Sequence, residues 1–357
     1  MPQKKPVLSL LLPTEGCDEM KKYIDEKQYT GHINQLFNVK EYRFCGGWAD
    51  GVRAVDISNG AGLSFTVLVD RAMDIFNMSY KGKNLCYQTP VGIKAPQYFD
   101  AEGIGWMQSF GGGFFVTCGL DNIGSPCTDN GDKLPCHGRL SNIPAENFRI
   151  ERGIADGTPY VTLIGDMVQT VMFGTQLTLT RKITCRYMEN KVTVEDVVTN
   201  GCARQTPQMI LYHFNMGYPL FDENAEVVIP SKKRIPRSEI AEKELDLWDK
   251  FTPPVFGYDE RCYYHEDMDS ENGIVTFGMK NKASDLSVKI AYENKNLPHF
   301  LQWKMTGVDE YVCGLEPGNA TVDGRANARE NGTLKTLNPG ESVDYRLEIS
   351  VGEYDKF

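Results

Sequence analysis

QLTLTRKITCRYMENKVTVEDVVTNG, residues 176–201, reads as two strands and a turn. Leu177, Leu179, Arg181, Ile183 and Cys185 fall on every second position, so in an extended chain they share one face. Met188-Glu189-Asn190 interrupts the pattern as a turn, and Val192, Val194 and Val197 continue the strand reading before Asn200-Gly201. Two such runs around a short polar break predict an antiparallel hairpin.

The same rhythm recurs on both sides. Val52, Ala54, Val55 and Ile57 lead into Ser58-Asn59-Gly60, after which Leu63, Phe65, Val67 and Val69 alternate. Val343, Tyr345, Leu347 and Ile349 repeat it near the C-terminus, and 34 glycines suit a turn-rich chain. No strand–helix–strand alternation appears, which disfavours a parallel α/β fold. The fold class expected is all-β, a large antiparallel β-sandwich with a few short helices. Helices are predicted at Thr14–Lys27, capped by Thr14, and at Arg237–Phe251 inside an insertion around Pro230–Pro254. Without a repeat or linker to cut it, the chain is expected to form a single domain over 1–357, with 1–40 packed on it as an extension.

Composition narrows the function. The net charge of −10 and the lack of a basic run argue against nucleic acid, and no apolar stretch is long enough for a membrane span. The Val7–Leu12 run is too short for a signal-peptide core, so a cytoplasmic location is expected. The ten cysteines are scattered and are read as reduced, buried thiols. A small neutral or polyhydroxy ligand fits this balance.

Four segments could carry chemistry. Gly111–Arg139 is rich in glycine and Asp-Asn pairs and ends in His137-Gly138-Arg139. It reads either as an irregular solvated loop or as a ligand mouth lined by Asp121, Asn122, His137 and Arg139. Cys118, Cys127 and Cys136 are evenly spaced within it, but without a C-x-x-C pair zinc is disfavoured. Tyr212-His213-Phe214-Asn215, followed by Tyr218, ends an apolar strand with the polar and aromatic groups a sugar pocket needs. Trp303 supplies a further aromatic face. Glu316 closes another apolar strand before Pro317-Gly318-Asn319, where a buried carboxylate is costly unless bonded or in use. Asp70-Arg71-Ala72-Met73-Asp74 reads as a surface ion-pair cluster, or with Arg71 as a fork for sugar hydroxyls.

Taken in order, from Gly46 to the end, these segments resemble the aldose 1-epimerase (galactose mutarotase-like) superfamily, and within it an uncharacterised bacterial branch. His137-Gly138 is similar to its first-histidine motif, Tyr212–Asn215 to the segment of its second histidine, and Leu315-Glu316-Pro317 to the strand of its glutamate. The resemblance implies a β-sandwich with a sugar on its concave face, His213 as acid, Glu316 as base, and no cofactor or metal. His137 and Arg139 would position the ring, with Arg71, Asp121, Asn122, Asn215, Tyr218 and Trp303 around the substrate. Burial is expected to raise the pKa of Glu316, and a neighbouring carboxylate that of His213. The chain departs from the pattern in having Thr117–Asn122 where an Asn-Arg-rich segment precedes the first histidine. The aspartate that grips sugar hydroxyls is placed only by position, at Asp259 or Asp267. Three readings remain: a mutarotase, a non-catalytic sugar binder, and an isomerase or lyase for a keto or acidic sugar, the last suited by Arg71 and Arg139. A homodimer is compatible with all three.

Overall fold

A computed structural model describes residues 23–357. Its antiparallel sheets pack around a large shared apolar core. The largest sheet has eight strands in the order Ala225–Val228, Ile274–Asn281, Leu286–Glu293, Ser342–Gly352, Lys191–Asn200, Gln176–Arg186, Thr158–Thr170 and Glu146–Ala155. A six-stranded sheet runs Ser231–Pro236, Arg261–Met268, His299–Thr306, Tyr311–Gly318, Met209–Met216 and Phe115–Leu120. Five strands between Asn38 and Asn84 form a third sheet.

Apolar side chains of all three sheets merge in the same core cluster. Phe277 of the eight-stranded sheet meets Phe214 at 5.9 Å and Phe300 at 4.8 Å, both edge to face and both from the six-stranded sheet. The architecture is the expected β-sandwich, with the large sheet backing the other two. Among the described residues no helix is long and apolar enough to cross a membrane.

The hairpin of residues 176–201 forms with Leu177 opposite Asn200 and Cys185 opposite Val192. Its inward set differs at one place. Val197 is 40% exposed, and Asp196 takes the interior position opposite Arg181. Charge complementarity wins over apolarity here. Arg181 donates to both Asp196 carboxylate oxygens at 2.8 and 2.6 Å, to Asp74 at 2.8 Å and to Thr117 Oγ1 at 2.8 Å. A buried guanidinium is tolerable only when its donors are occupied in this way.

Residues 23–27 are helical, while Thr14 and most of the first predicted helix lie outside the described residues. The second is shorter than predicted. Ser238 caps Glu239–Lys243 by accepting from the Ala241 N–H, and Leu245–Leu247 adds a 3-10 turn. The helix stops where Glu244 turns to clamp the Arg261 guanidinium at 3.1 and 2.9 Å.

Gly111–Arg139 is not wholly irregular. Its apolar run Phe115–Leu120 becomes the edge strand of the six-stranded sheet, and Cys127–Asp129 pairs with Asp132–Leu134. The chain then returns to that edge. Gly119 N–H donates to the His137 carbonyl at 3.0 Å, and Arg139 N–H to the Gly119 carbonyl at 2.9 Å. Gly138 is required at this crossing, because a side chain there would strike the Gly119 and Asn122 carbonyls.

Candidate active site

Alternation along Met209–Met216 separates two duties. Ile210, Tyr212 and Phe214 join the core between the sheets, whereas Leu211 belongs to a second apolar cluster on the opposite face, with Trp106 and Phe110. His213 shares that opposite face. The neighbouring strand pairs Phe214 with Leu315, which brings His213 beside Glu316. Their Nε2 and Oε1 atoms are 3.3 Å apart, and both side chains are buried. The contact is not aligned as a hydrogen bond. Glu316 Oε1 is thereby left buried without a hydrogen-bond partner, and His213 Nδ1, the other ring nitrogen, is buried without one as well.

The pair lies in the wall of a cavity of about 290 Å³. His137 enters from the returning loop, held by a left-handed backbone with φ of 54°. Its ring lies 4.6 Å from Trp106 and 5.8 Å from His213. Gly124 N–H reaches its Nδ1 at 3.4 Å, which places the proton of the neutral ring on Nε2. Trp303 closes another side, 5.6 Å from His213, and Phe110 stacks on Trp106 at 4.6 Å.

Burial dominates the electrostatics. It pushes Glu316 up to about 8, helped by the Glu260 charge and opposed by Arg237. It pushes His213 down to about 3, with His137 adding to the effect, and His137 down to about 4. The upward direction expected for Glu316 holds. The upward shift expected for His213 does not, because desolvation of the imidazolium dominates and His137 adds to it. At neutral pH the pair thus carries one proton, and it resides on Glu316.

Of the residues nominated from sequence, His137, His213, Trp303 and Glu316 line the cavity. The others do not. Arg139 pairs with Asp121 and reaches the Lys133 carbonyl at 3.3 Å, bracing the loop. Asn122 spans that loop from within, donating to the Ser125 and Pro135 carbonyls at 3.0 and 2.8 Å. Asn215 is buried and donates to the Gly113 and His213 carbonyls at 3.1 and 3.0 Å. Tyr218 is 71% exposed and borders a separate surface groove.

Arg71 and its neighbours are neither a surface cluster nor a sugar fork. Arg71 is buried and donates to the carbonyls of Ser141, Lys94 and Ser109 at 2.6 to 2.9 Å. Asp70 binds Arg53, and Asp74 belongs to the Arg181 network. The loop cysteines also go separate ways: Cys136 lines the cavity, Cys118 is buried in the edge strand, and Cys127 contacts Asn122 Oδ1 at 3.7 Å. Among the described residues no three His, Cys, Asp or Glu side chains converge as a metal site.

Among the lining residues that escaped the sequence reading are Trp106, Phe110, Arg237 and Glu260. Glu260, rather than Asp259 or Asp267, is the further acid of the cavity, and Trp303 Nε1–H donates to it at 2.8 Å. Arg237 pairs with Asp323 at 3.2 Å, and Tyr264 O–H donates to the other Asp323 oxygen at 2.9 Å. Arg237 and Glu260 stand at the two ends of the connection between the strands Ser231–Pro236 and Arg261–Met268, so neither shares a local motif with the histidines. Trp106 had a visible signal, an aromatic residue set among glycines in Gly103-Ile-Gly-Trp-Met.

Known structures with this architecture include a "putative aldose 1-epimerase" from Klebsiella pneumoniae subsp. pneumoniae, with a TM-score of 0.84 at 24% identity, covering 91% of this chain and 87% of that one. A galactose mutarotase-like protein from Clostridium acetobutylicum follows at a TM-score of 0.63 and 15% identity, covering 90% and 100%. A galactose 1-epimerase from Lactobacillus acidophilus has a TM-score of 0.55 at 10% identity, covering 89% and 99%. No curated protein sequence matches the chain. The sequence family described as "Domain of unknown function (DUF4432)" matches residues 49–351. The chain belongs to that uncharacterised family, and its fold is the galactose mutarotase-like β-sandwich.

Proposed function

We propose that the protein is a sugar mutarotase, interconverting the anomers of a monosaccharide through its open-chain carbonyl form. The observation that carries this reading is the Glu316–His213 contact: two buried proton-transfer groups 3.3 Å apart, in the wall of a cavity, with bonding capacity left on both. In the productive form Glu316 is the carboxylate and His213 the imidazolium. Glu316 takes the proton from O1–H, the C1–O5 bond breaks as C1=O1 forms, and His213 Nε2–H protonates O5. Rotation about C1–C2 and reversal of the steps yields the other anomer.

The proton count explains why such a pair suits a reversible reaction. Ring opening leaves Glu316 protonated and His213 neutral, which is the resting form favoured by burial. Reclosure gives the Glu316 proton back to O1 and takes the O5 proton back onto His213, which restores the productive form. Positioned acid and base groups of this kind contribute about a hundred- to ten-thousandfold to rate. Glu260 and the Nε2–H of His137 are assigned to the sugar hydroxyls, and Trp303 to a C–H face. The cavity lies near the lower limit of small-ligand sites, roughly 300 Å³, which suits one monosaccharide.

An acidic-sugar isomerase or lyase loses its sequence rationale, since Arg71 and Arg139 are both committed outside the cavity. Exchange NMR between α and β anomers across a panel of reducing sugars tests the mutarotase reading. Catalysed exchange, reduced at least a hundredfold in Glu316→Gln and His213→Asn, is the expected result. Sugar binding without exchange in the wild type would leave only a binding protein.

A further inference from the structure

The cavity has a lopsided wall. Residues 104–110 supply one side of it almost entirely with apolar groups. Trp106 and Phe110 are buried against each other, while Ile104 and Met107 line the same cavity yet stay 67% and 52% exposed. Scattered exposed apolar residues are ordinary. Two that adjoin a buried aromatic pair at a ligand cavity form a continuous apolar track from its depth to its mouth. A fully hydroxylated sugar gains little there, because each hydroxyl turned toward that track loses water without gaining a partner.

Charge sharpens the picture. Arg237 is the one cation among the described lining residues, and Asp323 already neutralises it at 3.2 Å. Glu260 also lines the cavity and keeps its carboxylate at the Trp303 N–H. An anionic sugar would therefore meet a carboxylate and no free cation.

Resting on the mutarotase reading, we propose that the substrate is an uncharged monosaccharide in which a hydroxyl has been replaced by an apolar group, a deoxy or O-methyl position that seats against Ile104 and Met107. The sugar's remaining hydroxyls face Glu260 and His137, and its reacting C1 and ring oxygen face Glu316 and His213. One methyl-sized contact in an apolar subsite is worth about tenfold in selection.

Matched sugar pairs provide the test: L-fucose against L-galactose, L-rhamnose against L-mannose, and 3-O-methylglucose against glucose, with glucuronate and galacturonate as the charged arm. Saturation-transfer NMR reads binding and exchange NMR reads turnover. At least one apolar member should surpass its parent by about tenfold in kcat/KM or affinity, with the uronates weakest. In the Ile104→Asn/Met107→Gln variant that ratio should fall toward one.

Parents equal to or better than every apolar partner, uronates bound best, or a ratio unmoved in the double variant would overturn the proposal. The binding arm separates this failure from that of the mutarotase reading. A binding preference without exchange sinks catalysis and keeps the ligand class, whereas exchange without preference does the reverse.

Discussion

Tyr212 and His213 are adjacent in one strand and hold opposite faces of the six-stranded sheet. The Tyr212 hydroxyl donates to Asp196 at 2.7 Å inside the sandwich, while the His213 ring stands 3.3 Å from Glu316 on the cavity side. The strand carrying the proposed acid is thus tied from behind to the Arg181–Asp74–Asp196 cluster.

That cluster should matter to stability. Asp196→Asn leaves Arg181 short of one charge inside the core, and breaking one partner of a buried ion pair costs about 3–5 kcal/mol. Urea denaturation should show a loss of that order.

The pH profile follows from the proton count. In the proposed reaction the pair functions with one proton, so kcat/KM should be level between about pH 5 and 7. It should then fall as pH rises through the Glu316 value of about 8 and the remaining proton is lost. The acid limb lies near the His213 value of about 3. Glu260→Gln removes a charge that raises Glu316, so its alkaline limb should move to lower pH. An unmoved limb would mean that Glu316 does not set it.

Stability should respond to pH through the same residue. Glu316 is raised in the folded state from an ordinary value of 4.5 to about 8. Its contribution to stability is therefore fully present below pH 4.5 and is lost as pH rises through 8. Glu316→Gln abolishes that loss. Its Tm relative to wild type should climb between pH 5 and pH 8, by several degrees, in scanning calorimetry. A difference independent of pH would place an ordinary, low pKa on Glu316.

Arg139→Ala separates loop bracing from substrate contact. Because Arg139 pairs with Asp121 outside the cavity, the variant should lose stability, by about 1–3 kcal/mol for an orphaned buried acceptor. Its kcat/KM should stay within roughly threefold of wild type at a temperature where both are folded. A hundredfold loss with unchanged Tm would return Arg139 to the substrate.

The strands were readable because period-two alternation is a local signal, as the register of residues 176–201 demonstrates. The histidines and Glu316 were readable because each ends an apolar strand or loop where a polar group needs a reason. Arg139 and Asp121 were misplaced for a physical cause: a charge pair that braces a loop leaves the same trace as one that grips a ligand. Val197 misled because apolarity stood in for burial, while Asp196 is buried by virtue of its partner. Arg237 and Glu260 left no trace. Their relevance arises only when the connection from Arg237 to Glu260 folds and sets both its ends against the cavity, a juxtaposition no short window of sequence contains.

That segment has a consequence for how such a protein can diversify. Glu316 and His213 sit on paired strands whose spacing the sheet dictates, whereas Arg237 and Glu260 bound a connection between strands, the kind of segment that tolerates changes in length and composition. Reaction and preference are thereby heritable in separate pieces. On the proposed reading, a descendant can trade one sugar for another by redrawing the connection, while the Glu316–His213 pair passes on unaltered.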